Sequence, residues 1–277
     1  MKPVWQKNGA FLDDLAAARS AGRTRLWWLG QSGFLVCSPQ GTLLFDPYLS
    51  DSLTQKYAAT DKPHTRITER VIAPECLTGI DVITSSHNHT DHLDAETLWP
   101  LLAANPKAKL VIPRANRAFV LERLGDVADR LVAIDAGETL AVSGTAFHGI
   151  PAAHNTVERD GHGCCRFLGF VVRLAGKTLY HSGDTLLHDS LASALSPFQP
   201  DVAMVPINGN RPERRVAGNL DGREAAWLAH QIGAGLAIPH HFDMFEFNTA
   251  APDEFEEECR RLGQAFLTLK NGEGLDL

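Results

Sequence analysis

Cysteine is scarce in this chain: five in 277 residues, odd in number and scattered at positions 37, 76, 164, 165 and 259. That excludes a disulfide-built fold, and the neighbours Cys164 and Cys165 cannot readily close a relaxed disulfide, so a reducing compartment is expected. No basic activator is identifiable beside that pair, which reads as two small residues of a loop or strand rather than as reactive thiols. Long apolar runs are also missing. Nothing approaches a membrane span, and Met1-Lys2-Pro3-Val4-Trp5-Gln6-Lys7 lacks the apolar stretch of a signal peptide, so a cytoplasmic protein with no membrane partner is expected. Positive charge is not in excess either. Twenty-six Lys and Arg stand against 33 Asp and Glu, a net charge of -7 with the signs interspersed, which argues against nucleic acid as a partner.

What is present suits a sizeable core, with 44% hydrophobic residues. A single domain over residues 1–277 is expected, with residues 1–22 as an N-terminal helical arm whose helix, Phe11 to Arg19, shares an apolar face. Apolar runs at Leu26 to Leu29, Phe34 to Cys37 and Thr42 to Phe45, separated by glycine-containing turns, predict an antiparallel meander. It ends at Asp46-Pro47, where proline halts the ladder and leaves Asp46 near the loops. The stretch Tyr48 to Arg70 is long and irregular, as segments covering a pocket are. Strand and helix patterns then alternate to Leu124, and the pattern turns wholly β through Tyr180. The second half echoes the first: in each, an antiparallel pair ends on an aspartate, Asp46 or Asp184, before strand-helix units follow.

The densest chemistry lies in Ser86-His87-Asn88-His89-Thr90-Asp91-His92-Leu93-Asp94. The β-branched run Asp81 to Ser85 predicts a buried strand, and Asp94 predicts the N-cap of a helix running to Leu102. Residues two apart in extended backbone point the same way, so His87 and His89 can share one divalent ion, with Asp91 and His92 further round the turn. Four ligands on so short a loop would hardly all reach one ion, so a second metal nearby is expected. Imidazole with carboxylate and no cysteine suits Zn, Mn, Fe or Ni. Predicted strand ends also bring His154, Asp184 and His240 or His241 to loops. Two sheets packed face to face with helices outside would line those loops along one edge.

With these residues in view, the chain resembles the metallo-β-lactamase superfamily almost end to end. Its segments Trp27 to Gly30, Ser86 to His92, Tyr180 to Asp184 and Ile238 to Asp243 are most similar to the branch containing bacterial L-ascorbate-6-phosphate lactonase. The resemblance implies an α/β fold of four αββα layers with a metal site between the halves. It implies that His87, His89 and His154 hold one ion, that Asp91, His92 and His241 hold the other, and that Asp184 bridges them. Two divalent ions, Zn or Mn, are the implied cofactors, and homo-oligomerisation is implied by related lactonases.

Such a set would hydrolyse a small ester or lactone by a hydroxide bridging the ions, oriented by Asp91 and Asp184; a phosphorylated sugar-acid lactone fits the branch. Two competing readings are a phosphodiesterase acting on a phospholipid or nucleotide, and a noncatalytic metal-binding sandwich. The substrate is expected to be a small molecule. Arg211, on a charged loop after a predicted strand, is a candidate for gripping its phosphate or carboxylate. Asn208, Gln31 and Tyr48 are candidates by position.

Overall fold

The computed structural model describes residues 1–277. The chain enters on α1 (Asn8–Ser20), whose buried residues Phe11, Leu15 and Ala18 recur at helical spacing. β1 (Arg25–Gly30), β2 (Gly33–Ser38) and β3 (Gly41–Phe45) form the expected antiparallel meander. After α2 (Ser52–Tyr57), β4 (Val82–Thr84) pairs parallel with β3. α3 (Ala95–Ala104) crosses over to β5 (Lys109–Pro113), and α4 (Arg117–Leu124) to β6 (Leu131–Ile134), both again parallel. The second sheet starts with the antiparallel strands β7 (Thr139–Val142), β8 (Thr145–Pro151), β9 (Leu168–Leu174) and β10 (Lys177–His181). It continues through α5 (Leu191–Leu195), β11 (Val202–Pro206), α6 (Gly222–Gln231) and β12 (Leu236–His240), with β11 and β12 parallel. α7 (Asp253–Leu262) and β13 (Gly274–Asp276) close the chain.

The sheets have orders β13-β1-β2-β3-β4-β5-β6 and β12-β11-β10-β9-β8-β7. Alternation along the first sheet explains the layering. Leu26, Trp28, Phe34, Val36, Phe45 and Val111 face the second sheet and share one core with Phe147, Phe170, Val172 and Leu179. Their neighbours Trp27, Leu29, Leu35, Leu44 and Leu110 point the opposite way and pack under α1, α3 and α4 with Phe11, Leu98 and Val120. On the far side, Ala225 and Ala229 of α6 and Phe255 and Cys259 of α7 cover the second sheet. Four layers, αββα, result because both faces of each sheet are apolar and must be covered.

Three elements were not legible beforehand. α2 is a short helix inside the stretch Tyr48 to Arg70 that reads as irregular, and α5 is a helix of five residues, too brief to show a period. β13 was missed because Gly274-Leu275-Asp276 is too brief to show a period, yet it pairs with β1 in the register Trp27↔Gly274. A side chain at Gly274 would meet the Trp27 ring at 2.6 Å, which explains glycine there. No helix is long and apolar enough to cross a membrane.

Candidate metal centre

Four strand ends converge on one point. β4 delivers His87 to Asp91 and His92 on the turn before α3, where Asp94 caps the helix by accepting from Thr97 N at 3.1 Å. β8 leads to His154, β10 to Asp184 and β12 to His241. Candidate ligand atoms within 4.8 Å of one another fall into three groups: His87, His89 and His154; His87, His92 and Asp184; and Asp91, His92 and His241. The first and third groups coincide with the two ligand sets that the resemblance implied. Asp184 lies between them, with Oδ2 3.5 Å from His154 Nε2 and 3.3 Å from His241 Nε2, and Oδ1 3.2 Å from His92 Nε2.

The donor atoms fit a cation. His87 Nε2, His92 Nε2 and Asp184 Oδ1 are buried and make no hydrogen bond. His92 Nε2 and Asp184 Oδ1 are close enough to attract but poorly aligned to bond. Orphaned buried polar atoms are costly, and three in one group aimed at a common point are what metal ligands need. The ring nitrogens facing away are tied down. His154 Nδ1–H donates to Gly218 O at 2.8 Å, His92 Nδ1–H donates to Asp46 Oδ2 at 2.7 Å, and His87 Nδ1 lies 3.0 Å from Ser86 Oγ. Nε2 of His87 and of His92 is thereby left unbonded toward the centre, and His154 Nε2 faces His89 Nδ1 at 3.1 Å.

Electrostatics divides the set. Burial, with the neighbouring imidazoles, pushes the His87 pKa well below its ordinary value and that of His89 down to about 4. Burial likewise lowers His154. These three are neutral imidazoles with lone pairs available. His92 and His241 behave oppositely: burial opposes their charge, but Asp184 and Asp91 outweigh it, lifting His92 well above the ordinary range and His241 to about 9. Burial would raise both carboxyls, yet the His92 and His241 cations hold Asp91 and Asp184 well below it. Cations that replace those protons would meet a preformed anionic cradle.

A supporting layer surrounds the centre. Asp46, fully buried, accepts from Thr84 Oγ1 at 2.7 Å, from Ser86 N at 3.1 Å, from Ser86 Oγ and from His92. The sequence placed it near the loops but gave no sign of this role. Gly183 has φ +58, and a Cβ there would meet Ser86 Oγ at 2.6 Å, so glycine lets the Asp184 strand end approach the histidine turn. His181 Nε2–H donates to Ser32 O at 2.8 Å, and His240 stacks on His181 at 5.3 Å. His240 packs behind the centre, its ring nitrogens beside Ser32 Oγ and Ser182 Oγ. Gln31, Asp46 and His241 all have positive φ, at 48°, 35° and 62°. Such strain in non-glycine residues gathers where surrounding structure fixes a functional geometry.

A cavity of about 540 Å³ opens over this floor, lined by Asp91, His89, His154, Asp184 and His241. Of the substrate candidates, it reaches Gln31, whose Nε2 donates to Asp91 Oδ2 at 2.9 Å. The other three lie elsewhere. Tyr48 is buried, its hydroxyl accepting from Leu53 N; Asn208 is buried between Asn219 and Asn248; Arg211 is exposed off the lining. The charged loop turns at Pro212 to Arg214, which carries Arg215 to the cavity instead. Arg214 is spent on Asn208 O and Thr249 O. Position along a loop did not show which of three arginines turns inward. Lys56, Lys62 and Arg123 were also missed, each lying outside any motif.

Residues 42–242 match the beta-lactamase superfamily domain. The chain belongs to the metallo-β-lactamase superfamily. Within the superfamily, it is 30% identical over 254 residues to a UPF0173 metal-dependent hydrolase of Carboxydothermus hydrogenoformans, covering 90% of this chain and 98% of the relative. A UPF0173 metal-dependent hydrolase of Myxococcus xanthus is 28% identical over 253 residues, covering 89% and 80%. Among solved structures, Igni18, a metallo hydrolase of Ignicoccus hospitalis, superposes with a TM-score of 0.67 at 20% identity over 92% of this chain and 98% of that one, a likeness of fold. The chain is thereby a member of the UPF0173 metal-dependent hydrolases with the metallo-β-lactamase fold.

Proposed function

We propose that this metal-dependent hydrolase cleaves a small ester or lactone, in the manner of the branch that contains L-ascorbate-6-phosphate lactonase. The observation that carries the reading is the convergence of seven donors, three of their atoms buried and unpartnered, on the floor of a cavity sized for a small molecule. His87, His89 and His154 would hold one ion and Asp91, His92 and His241 the other, with Asp184 shared; mixed nitrogen and oxygen ligation suits Zn or Mn. Such ions, when bound, lower the pKa of water toward about 7 and polarise the oxygen under attack. The chain's own part is positioning. Asp91 and Asp184 supply acceptors for a water proton at the cavity floor, and Gln31 Nε2 keeps Asp91 Oδ2 in place. Asp46 fixes the tautomer of His92.

Cations along the cavity favour one second reading, a phosphodiesterase, since they also suit a phosphodiester. Five unpaired cysteines support a reducing, cytoplasmic setting, and homo-oligomerisation belongs to the same reading by analogy with the lactonase. A side-by-side assay decides between the two chemistries: a lactone and aryl-ester panel against bis-p-nitrophenyl phosphate, with metal content measured on the same sample. Turnover confined to the first panel is expected. Two bound ions and no turnover on either panel would overturn both readings.

A further inference from the structure

The cavity mouth is more basic than the molecule it belongs to. In a chain of net charge -7, the lining holds four cations, Lys56, Lys62, Arg123 and Arg215. Its two carboxylates, Asp91 and Asp184, both belong to the candidate metal groups on the floor. The cations come from separate parts of the chain, α2 and the segment after it, α4, and the loop after Asn208. Folding has therefore gathered them.

Three of the four are bonded to neutral groups, which hold the side chains without cancelling their charge. Lys56 Nζ donates to Thr90 Oγ1 at 3.0 Å, Lys62 Nζ to the Arg215 carbonyl, and Arg123 Nη1 to the carbonyls of Asn88 and Leu93 at 3.1 and 3.0 Å. Arg123 also lies 4.4 Å over the Phe119 ring, which lines the same cavity, so its guanidinium is held in one place. Lys56 and Arg123 both grip the turn that carries His89. Arg215 pairs with Asp61, an exposed residue beyond the lining. Lys62 and Arg123 are half-buried while Lys56 and Arg215 are exposed, and cations gathered around a partly enclosed space attract anions more strongly than isolated ones do.

We propose that Lys56, Lys62, Arg123 and Arg215 form a recognition site for a second anionic group on the substrate, a phosphate monoester or a carboxylate, remote from the bond that is cut. The substrate is then a small ester or lactone with an anionic tail, which neutral analogues lack. This rests on the hydrolase reading for the bond that breaks; the anion site itself is a matter of binding and is tested without turnover.

The probes are three six-carbon sugar acids that share a carboxylate for the metal floor and differ at the far end: gluconate, glucarate with a second carboxylate, and 6-phosphogluconate. Their Kd values are measured by titration calorimetry on the metal-loaded protein. For wild type, 6-phosphogluconate is expected to bind about tenfold or more tightly than gluconate, a preference that weakens as salt rises. Glucarate matching 6-phosphogluconate identifies a general anion site; glucarate matching gluconate identifies a phosphate site. In Lys56→Gln/Lys62→Gln the ratio is expected to shrink toward unity, and Arg123→Gln to reduce it separately, with folding checked by thermal melting. Thr90→Val removes the hydroxyl that Lys56 contacts but keeps the charge, and should retain the preference. Equal Kd values for all three ligands in wild type, or an undiminished ratio in the double lysine variant, would overturn the proposal. A retained ratio without turnover of the corresponding lactones or esters would instead sink the hydrolase reading alone.

Discussion

Asp46 carries more than its position suggests, because one buried carboxylate accepts from Thr84, Ser86 and His92 and so links β3 to the histidine turn. Asp46→Asn keeps the shape but removes the charge opposite His92. Metal affinity is expected to fall by about 10- to 100-fold, read by chelator competition. Asp184→Ala should lower activity and metal occupancy together, since that carboxylate faces both groups; wild-type rates with two ions bound would contradict its shared role. The raised pKa of His241, about 9, sets a pH dependence. For the metal-free protein, its contribution to stability is complete below the ordinary value of 6.5 and is lost as pH rises through 9. A metal must displace that proton, so affinity should climb with pH up to about 9, and binding near neutrality should release on the order of two protons, from His92 and His241. Calorimetry in buffers of different ionisation enthalpy measures the release. An affinity independent of pH would refute the coupled ion pairs.

At the scale of elements, two close approaches are exposed to single changes. Gly183→Ala places a Cβ 2.6 Å from Ser86 Oγ at a positive φ, so a loss of about 1–3 kcal/mol is expected in chemical denaturation, with weaker metal binding beside it. Gly274→Val drives a branched side chain into Trp27 and should release β13 from β1, read as a lower Tm and faster amide exchange in β1. Most elements were legible because their periods are long enough to show. The meander β1 to β3 announced itself through glycine turns, and Asp221 with Glu224 three residues on spells the capping box found at the start of α6. The centre was legible for a different reason: His87 to Asp94 packs its donors into one stretch, and the remaining histidines and Asp184 sit at strand ends. Substrate residues were not. Arg211 and Arg215 look alike in sequence, and only the turn at Pro212 decides which one faces the cavity. Lys56 and Arg123 are ordinary helix residues until the fold sets them beside Thr90 and Asn88.

For the whole molecule, the donors come from both sheets, so a bound ion crosslinks the halves. Metal removal by chelation is therefore expected to lower the Tm, and restoring each ion at about 100 times its Kd should return about 2.7 kcal/mol of stability. Calorimetric scans before and after dialysis against chelator would show it; an unchanged Tm would mean that the ions contribute nothing to holding the sheets together. The same arrangement has a temporal side. A ribosome delivers His87, His89 and His154 well before Asp184 and His241, so the all-imidazole triad is complete in the chain while its last third is still being synthesised. The triad of Asp91, His92 and His241 cannot close until β12 has emerged. Were both groups to take ions, the chain itself would set their order: a polypeptide interrupted between residues 184 and 241 holds every ligand of the first group and lacks His241 of the second.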